Sequence, residues 1–311
     1  MTKDINGYLL HEEFSVENAG MCQWGFAQKD GHEYFIKEFL SPKYPLDEKK
    51  LGLELTKKMQ ESANAFYERK SQFYSTLAEC RTGNNVVVLD FFRYGAKYYA
   101  VTDKVSGNLL SVADVSKLSD EKKYVLIRSI LYSLSKVHSC GIVHSDLKPE
   151  NILVKVTSDG YCTAKIIDFD SGFLESDVPE RIEGSQNYFS PEALRRINGG
   201  DCLVSTKSDV WALGLLIHQY WCGSMPHFPS NYRYVSEAVA NNCILEFDDS
   251  IPVDVKSIIQ TMLDKDPDIR PSVEKAWSLF CELSASTSIN RDEPVRADPV
   301  TSGWFVPDDL N

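Results

Sequence analysis

Two short runs of β-branched and aliphatic residues, Ile142-Val143 and Ile152-Leu153-Val154, bracket eight residues that are nearly all polar: His144-Ser145-Asp146-Leu147-Lys148-Pro149-Glu150-Asn151. The apolar runs read as strands, and Pro149 forbids continuing a ladder between them. A loop that holds an imidazole, two carboxylates, an amide and an ammonium between two apolar strands needs hydrogen-bond and charge partners. A second short strand, Lys165-Ile166-Ile167, leads into Asp168-Phe169-Asp170, 22 residues after Asp146.

The rest of the chain divides around this centre. Residues from about 7 to 40 read as short strands, with Lys29-Asp30-Gly31 a hairpin turn before Tyr34–Phe39 and Ser41-Pro42 ending the strand. Leu51, Leu55, Met59, Ala63, Phe66, Phe73 and Leu77 recur at helical spacing, which predicts a helix over about 47–80. Strands are expected at Val86–Phe92 and Tyr98–Val101, with a turn at Gly95. Beyond 108 helices dominate, at Glu121–His138, at the almost wholly apolar Val210–Trp221, and over 254–284. From Ala285 the chain is polar and broken by proline, with Trp304-Phe305-Val306 its apolar cluster, and reads as a tail. The expected class is α+β in two lobes: 1–104 β-rich with one long helix, 105–284 mainly helical, 285–311 a tail.

Composition narrows the function. Of 311 residues 43% are hydrophobic, enough for a large core, and the formal net charge is −12. An acidic surface argues against nucleic-acid partners, whose binding rests on Lys and Arg. Eight scattered cysteines contain no C-x-x-C pair, so we expect no zinc site and reduced thiols. The sequence shows neither a signal peptide nor an apolar run of bilayer length, so the expectation is a cytoplasmic protein with no membrane partner.

The segment Ile142–Val154 resembles the catalytic loop of protein kinases, and Asp168-Phe169-Asp170 resembles their D-F-G segment. The resemblance covers about residues 7 to 284 and implies a bilobal, ATP-dependent phosphotransferase. It implies that Asp146 orients the acceptor hydroxyl, that Lys148 neutralises the transferred phosphoryl group, and that Asn151 and Asp168 hold magnesium, with manganese as an alternative. Lys37, in Tyr34-Phe35-Ile36-Lys37, resembles the strand lysine that meets the ATP phosphates. Its helix partner is expected to be Glu68, with Glu61 second; Glu54 lies on the same stripe. Family spacing places Gly20 at the third glycine of the phosphate loop, with Ser15 and Glu17 at the first two, and Cys22 over the adenine. Thr102 falls at the gatekeeper, Asp103 and Val105 at the hinge, and Leu153 at the pocket floor. Gly184-Ser185-Gln186-Asn187-Tyr188 and Ser190-Pro191-Glu192 resemble the peptide-binding platform of serine/threonine kinases, which implies a protein substrate. Glu192 is expected to pair with Arg270, and Asp209 to anchor the catalytic loop.

Four departures stand out. Asp170 replaces glycine, and aspartate enters the left-handed region less readily. Phe35 replaces a small residue beside the adenine. The phosphate loop keeps one glycine of three. Ser145 replaces the arginine that pairs with a phosphorylated activation loop, so control by such phosphorylation should be weak or absent, with a regulatory protein partner as one alternative. The first three also motivate a second reading, a nucleotide-binding pseudokinase or scaffold. A small-molecule kinase is a third, opposed by the platform. The Asp-Phe-Asp variant with a long first helix resembles stand-alone bacterial kinases associated with phosphatase and von Willebrand-type partners.

Overall fold

The computed structural model describes residues 3–17, 20–47, 52–105, 107, 109–157 and 160–286. The Trp304-Phe305-Val306 cluster lies outside the described residues, as do Leu51 and the tail beyond Ser286. Backbone contacts group the chain into two compact units. The first runs to Glu79 and resumes over Val86–Gly107; the second comprises Cys80–Asn85 and everything beyond Gly107.

The first unit is built on one antiparallel sheet of six strands, in the order β1-β2-β3-β4-β6-β5. These are β1 Asp4–Ile5, β2 Tyr8–Leu10, β3 Cys22–Lys29, β4 His32–Phe39, β5 Val88–Tyr94 and β6 Lys97–Asp103. The β3–β4 turn has two residues, Asp30 and Gly31, with φ of 51° and 80°. Positive φ at both positions is what a tight hairpin requires, and glycine adopts it without steric cost. Ile5, Tyr8, Leu10, Ala27, Ile36, Tyr99 and Val101 make a core cluster of this unit. Helix α1, Leu53–Glu79, packs through an aromatic cluster in which Phe66 meets Phe39, Phe91 and Tyr98.

Of the helix expected over about 47–80, residues 48–51 lie outside the described residues, and the described helix α1 starts at Leu53. Gly52 has φ of +79° and its carbonyl accepts the first helical bond, from Thr56, so the helix opens at Leu53. Strand β5 starts at Val88 because the two residues expected to open it, Val86 and Val87, follow an asparagine loop that is bonded elsewhere. In that loop Asn84 donates to Ser129 Oγ, and the Ile166 N–H donates to the Asn84 carbonyl.

The second unit is mainly helical: α2 Val112–Val115, α3 Asp120–Ser139, α4 Pro191–Ile197, α5 Thr206–Cys222, α6 Val235–Ala240, α7 Val253–Met262 and α8 Val273–Ser286. Ser119 caps α3, and Leu126, Ile127, Ile130, Leu131, Leu134 and Val137 on its inner face are at most 3% exposed. Fully burying each such side chain contributes on the order of 1.5–3 kcal/mol. Helix α5 is buried nearly all round, as its almost wholly apolar run implies. Two small antiparallel sheets carry the polar loops. One is β7 Leu109–Leu110, β9 Ile152–Val156 and β10 Cys162–Ile166; the other pairs β8 Ile142–Val143 with β11 Phe173–Leu174.

One expectation is overturned. Cys80, just past α1, is disulfide-bonded to Cys140 at the end of α3. Spacing along the chain could not reveal this, because the pair is 60 residues apart and meets only once the asparagine loop docks beside α3. Cys162, Cys202, Cys222, Cys243 and Cys281 are free thiols.

Candidate active site

The polar loop between β8 and β9 is anchored from below. Asp209, on the first turn of α5, accepts from the His144 N–H at 2.7 Å and the Ser145 N–H at 2.9 Å. His138 Nε2 also lies 3.0 Å from Asp209 Oδ2. Two carboxylate oxygens thus saturate two backbone donors that a tight loop leaves without ladder partners. Above, the His144 ring bonds the Ile167 carbonyl at 3.0 Å and packs on Phe169, centroids 4.5 Å apart. That contact ties the loop to the Asp168 segment.

Asp146 sits at the centre of a polar cluster. Its Oδ2 accepts from Lys148 Nζ at 2.7 Å and from Asn151 Nδ2 at 3.1 Å; its Oδ1 accepts from the Ser185 N–H at 2.8 Å. Lys148 Nζ also donates to Ser185 Oγ at 2.9 Å. The Lys148 and Asp146 side chains are 23% and 11% exposed, so the pair is only partly screened by water. Asn151 is buried, with its amide nitrogen bound to the Asp146 carbonyl and carboxylate. The Ile167 N–H donates to the Asn151 carbonyl, which brings Asp168 alongside.

Asp168 has φ of +62°, and the turn Phe169–Ser171 that follows is 3-10. Asp170 lies outside the left-handed region. The residue of this turn in the left-handed region is thus Asp168, and Asp170 occupies a right-handed turn that any residue adopts.

Ser185 meets Lys148 through its hydroxyl and Asp146 through its backbone N–H. Glu192 pairs with Arg270 through two bonds, Nη1 to Oε1 at 2.7 Å and Nη2 to Oε2 at 2.8 Å. Ser208 Oγ adds a bond to Glu192 at 2.9 Å. Burial by itself would raise the Glu192 carboxyl, but the Arg270 bonds and charge outweigh it and hold it below its ordinary value.

In the first unit, Lys37 lies on β4 opposite Trp24 and Ala100. Phe35 stacks on Trp24, centroids 5.6 Å apart, and meets Phe26 edge-on. The Trp24 indole donates to the Glu17 carbonyl at 2.9 Å, fastening the expected phosphate loop to β3. Gly20 has φ of +56°, and Cys22 is buried. Thr102 is half-buried and donates weakly to the Asp103 carbonyl at 3.3 Å; Val105 is half-buried and Asp103 exposed. Leu153, also half-buried, stands on β9 opposite Lys165.

Glu54, Glu61 and Glu68 are all exposed. Glu68 lies about 140° around the helix from the buried Ala63. The face of α1 that meets the sheet carries Phe66 and Tyr74, which pack on Phe91, so the acidic stripe stands away from that face.

Sequence reading missed Trp24, Glu38 and Arg196. Trp24 was findable, since it follows Cys22 by two residues and so shares a sheet face with it. Glu38 is fully buried and accepts from Gln23 at 2.6 Å, from Tyr99 at 2.8 Å and from the Lys97 ammonium. Strand alternation did not mark it as buried, because both faces of β4 are covered. Arg196 donates to the Pro179 and Cys202 carbonyls at 3.0 Å each, contacts no local pattern announces.

The sequence pattern of the protein kinase domain family matches residues 49–279. The chain belongs to the protein kinase family, and its α+β bilobal architecture is that of the family. It is 35% identical over 187 residues to the serine/threonine-protein kinase PDK1 of Cryptococcus neoformans var. grubii, covering 57% of this chain and 14% of that protein. It is 33% identical over 205 residues to serine/threonine-protein kinase CG17528 of Drosophila melanogaster, covering 62% of this chain and 27% of that one. Kinase GM11705 of Drosophila sechellia matches at the same identity and coverage. The chain thus spans about a seventh to a quarter of the length of these relatives. Among the described residues no helix is long and apolar enough to cross a membrane.

Proposed function

We propose that this chain is a serine/threonine protein kinase that transfers the γ-phosphoryl group of ATP to a hydroxyl of a protein substrate. The observation that carries the reading is the convergence on Asp146 of Lys148, Asn151 and Ser185, all within 3.1 Å. A carboxylate so held is oriented in advance, and positioning with electrostatics is most of what phosphoryl transfer requires. Asp146 accepts the hydroxyl proton, and Lys148 carries positive charge to the transferred oxygens. Ser185, held by Lys148 and Asp146, stands at the platform position that favours serine or threonine over tyrosine as the acceptor.

The oxygen donors fit magnesium. Asn151 spends its amide nitrogen on Asp146, which leaves its amide oxygen for a hard cation, and Asp168 adds a carboxylate on the adjoining turn. Asp168 and Asn151 would hold the ion, which supplies charge neutralisation at the phosphates when bound. Lys37 is assigned to the phosphates and the backbone of Asp103 and Val105 to the base.

Transfer of label from ATP to a generic basic protein, with magnesium, tests this. Asp146→Asn is expected to lower the rate roughly 10²–10⁴-fold. Equal rates in the two proteins would remove the enzyme reading.

A second reading, a nucleotide-binding pseudokinase, is favoured by one observation. The stacked Trp24 and Phe35 rings line the sheet face that carries Lys37, and Trp24 holds the loop at Glu17. Nucleotide binding without transfer would support it.

A further inference from the structure

The stretch from Glu175 to Ser185 crosses open surface, yet it is fastened at several points. Ser145 Oγ donates to the Glu183 carbonyl at 3.1 Å. Arg196, on α4, donates Nη2 to the Pro179 carbonyl while its Nη1 holds the Cys202 carbonyl. Between these two ties Ile182 is 6% exposed, in an apolar cluster with Val143, Phe173, Phe189 and Leu194. Gly184 completes the join. Its φ is +146°, and a Cβ there would stand 2.7 Å from the Ser145 carbonyl oxygen. Only glycine lets the two backbones approach this closely.

Both ties end on main-chain carbonyls, which are present whatever the side chains' phosphorylation state. We propose that Ser145 and Arg196 are positioning residues that dock residues 175–185 on the catalytic loop without any phosphate, so that Ser185 stays on Asp146 and Lys148 in the unmodified protein. Serine at 145 is then a replacement with its own function. Where an arginine would wait for a phosphate, the hydroxyl closes the gap to Glu183 directly. The consequence for rate rests on the kinase reading above; the order of the segment does not.

The test uses the full chain, treated with a nonspecific phosphatase and checked by mass spectrometry for loss of phosphate at Ser171, Ser176, Ser185 and Tyr188. The rate of the dephosphorylated protein is expected to stay within about twofold of the untreated one. Ser145→Ala and Arg196→Gln are each expected to lower kcat about fivefold to tenfold, the range for one lost hydrogen bond, with KM for ATP within about twofold. Amides of 177–185 should exchange faster with solvent in both variants. Ser145→Asn, which tolerates the positive φ at this position and keeps a donor, should restore rate and protection. Melting curves guard against general unfolding, and Arg196→Lys is the milder variant if Arg196→Gln melts early. A loss beyond about tenfold on dephosphorylation would overturn the proposal. So would wild-type kcat and protection in Ser145→Ala and Arg196→Gln together. If the wild type transfers no phosphate, the kinase reading falls, and exchange protection in the phosphate-free protein and its variants still decides the proposal.

Discussion

At the scale of single residues, the polar atoms of the candidate site are almost all spoken for, and this makes substitution effects directional. Asn151 bonds Asp146 twice and stands beside Asp168. Asn151→Ala removes an orienting amide and a candidate metal ligand together. It is expected to lower kcat on the order of 100-fold, with a raised magnesium requirement, measured by titrating the metal at saturating ATP. Asp209 touches no reacting atom in the proposed chemistry, yet it holds two backbone donors of the catalytic loop. Asp209→Asn keeps the shape and exchanges one acceptor for a donor facing an N–H. We expect kcat to fall while ATP affinity is kept, which separates a loop-positioning role from a binding one.

Elements set the stability of the second unit. Glu192 opens α4 and reaches Arg270 beyond α7, with Arg270 also capping the Asp264 and Lys207 carbonyls at 2.8 and 3.0 Å. Arg270 is 1% exposed. Removing one partner leaves the other charge buried, so Glu192→Ala is expected to cost roughly 3–5 kcal/mol in chemical denaturation. The pH dependence has a definite sign. Burial raises the Glu192 carboxyl, but the Arg270 bonds and charge lower it by more, so its folded-state pKa lies below its ordinary value of 4.5. Its contribution is present above that value and is lost as pH falls through the depressed one. Glu192→Gln should flatten the acid limb of the stability curve. The Cys80–Cys140 link joins the asparagine loop to the end of α3 across 60 residues. Closing a loop of that length contributes up to about 4 kcal/mol on chain-entropy grounds. Reduction, or Cys80→Ser, should lower the melting temperature, and non-reducing peptide mapping should recover the linked pair.

For the whole molecule the useful observable is ligand-linked stability. A ligand at about 100 times its Kd adds about 2.7 kcal/mol. Magnesium with ATP is therefore expected to raise the melting temperature by several degrees, and Asp168→Asn to abolish most of the magnesium-dependent part. A shift with ATP that is indifferent to magnesium would separate nucleotide binding from the metal role assigned to Asp168 and Asn151. Trp24→Leu bears on the same measurement: it frees Phe35 and the Glu17 carbonyl, so the ATP-induced shift should change in size while the shift lost with Asp168→Asn stays lost.

Much of this was legible along the chain because the signals are local. Alternation and turn residues mark the hairpin at Asp30-Gly31, 3.6-residue periodicity marks α1 and α3, and an almost wholly apolar run marks α5. The polar run His144–Asn151 between two apolar strands marks the site, since such a loop needs partners and announces their kinds. The pair Glu192–Arg270 followed from motif order. What the chain could not settle by itself depended on long-range closure. Whether position 170 is strained depended on which residue of the turn takes the left-handed conformation, and in the folded chain that residue is Asp168. The Cys80–Cys140 pair, the burial of Glu38, and the ties of Ser145 and Arg196 to backbone carbonyls involve partners with no sequence signature, because every residue has a carbonyl. Local propensity and patterning determined the elements and the chemistry of the central loop; only the packed tertiary structure decided which backbone atoms that chemistry leans on.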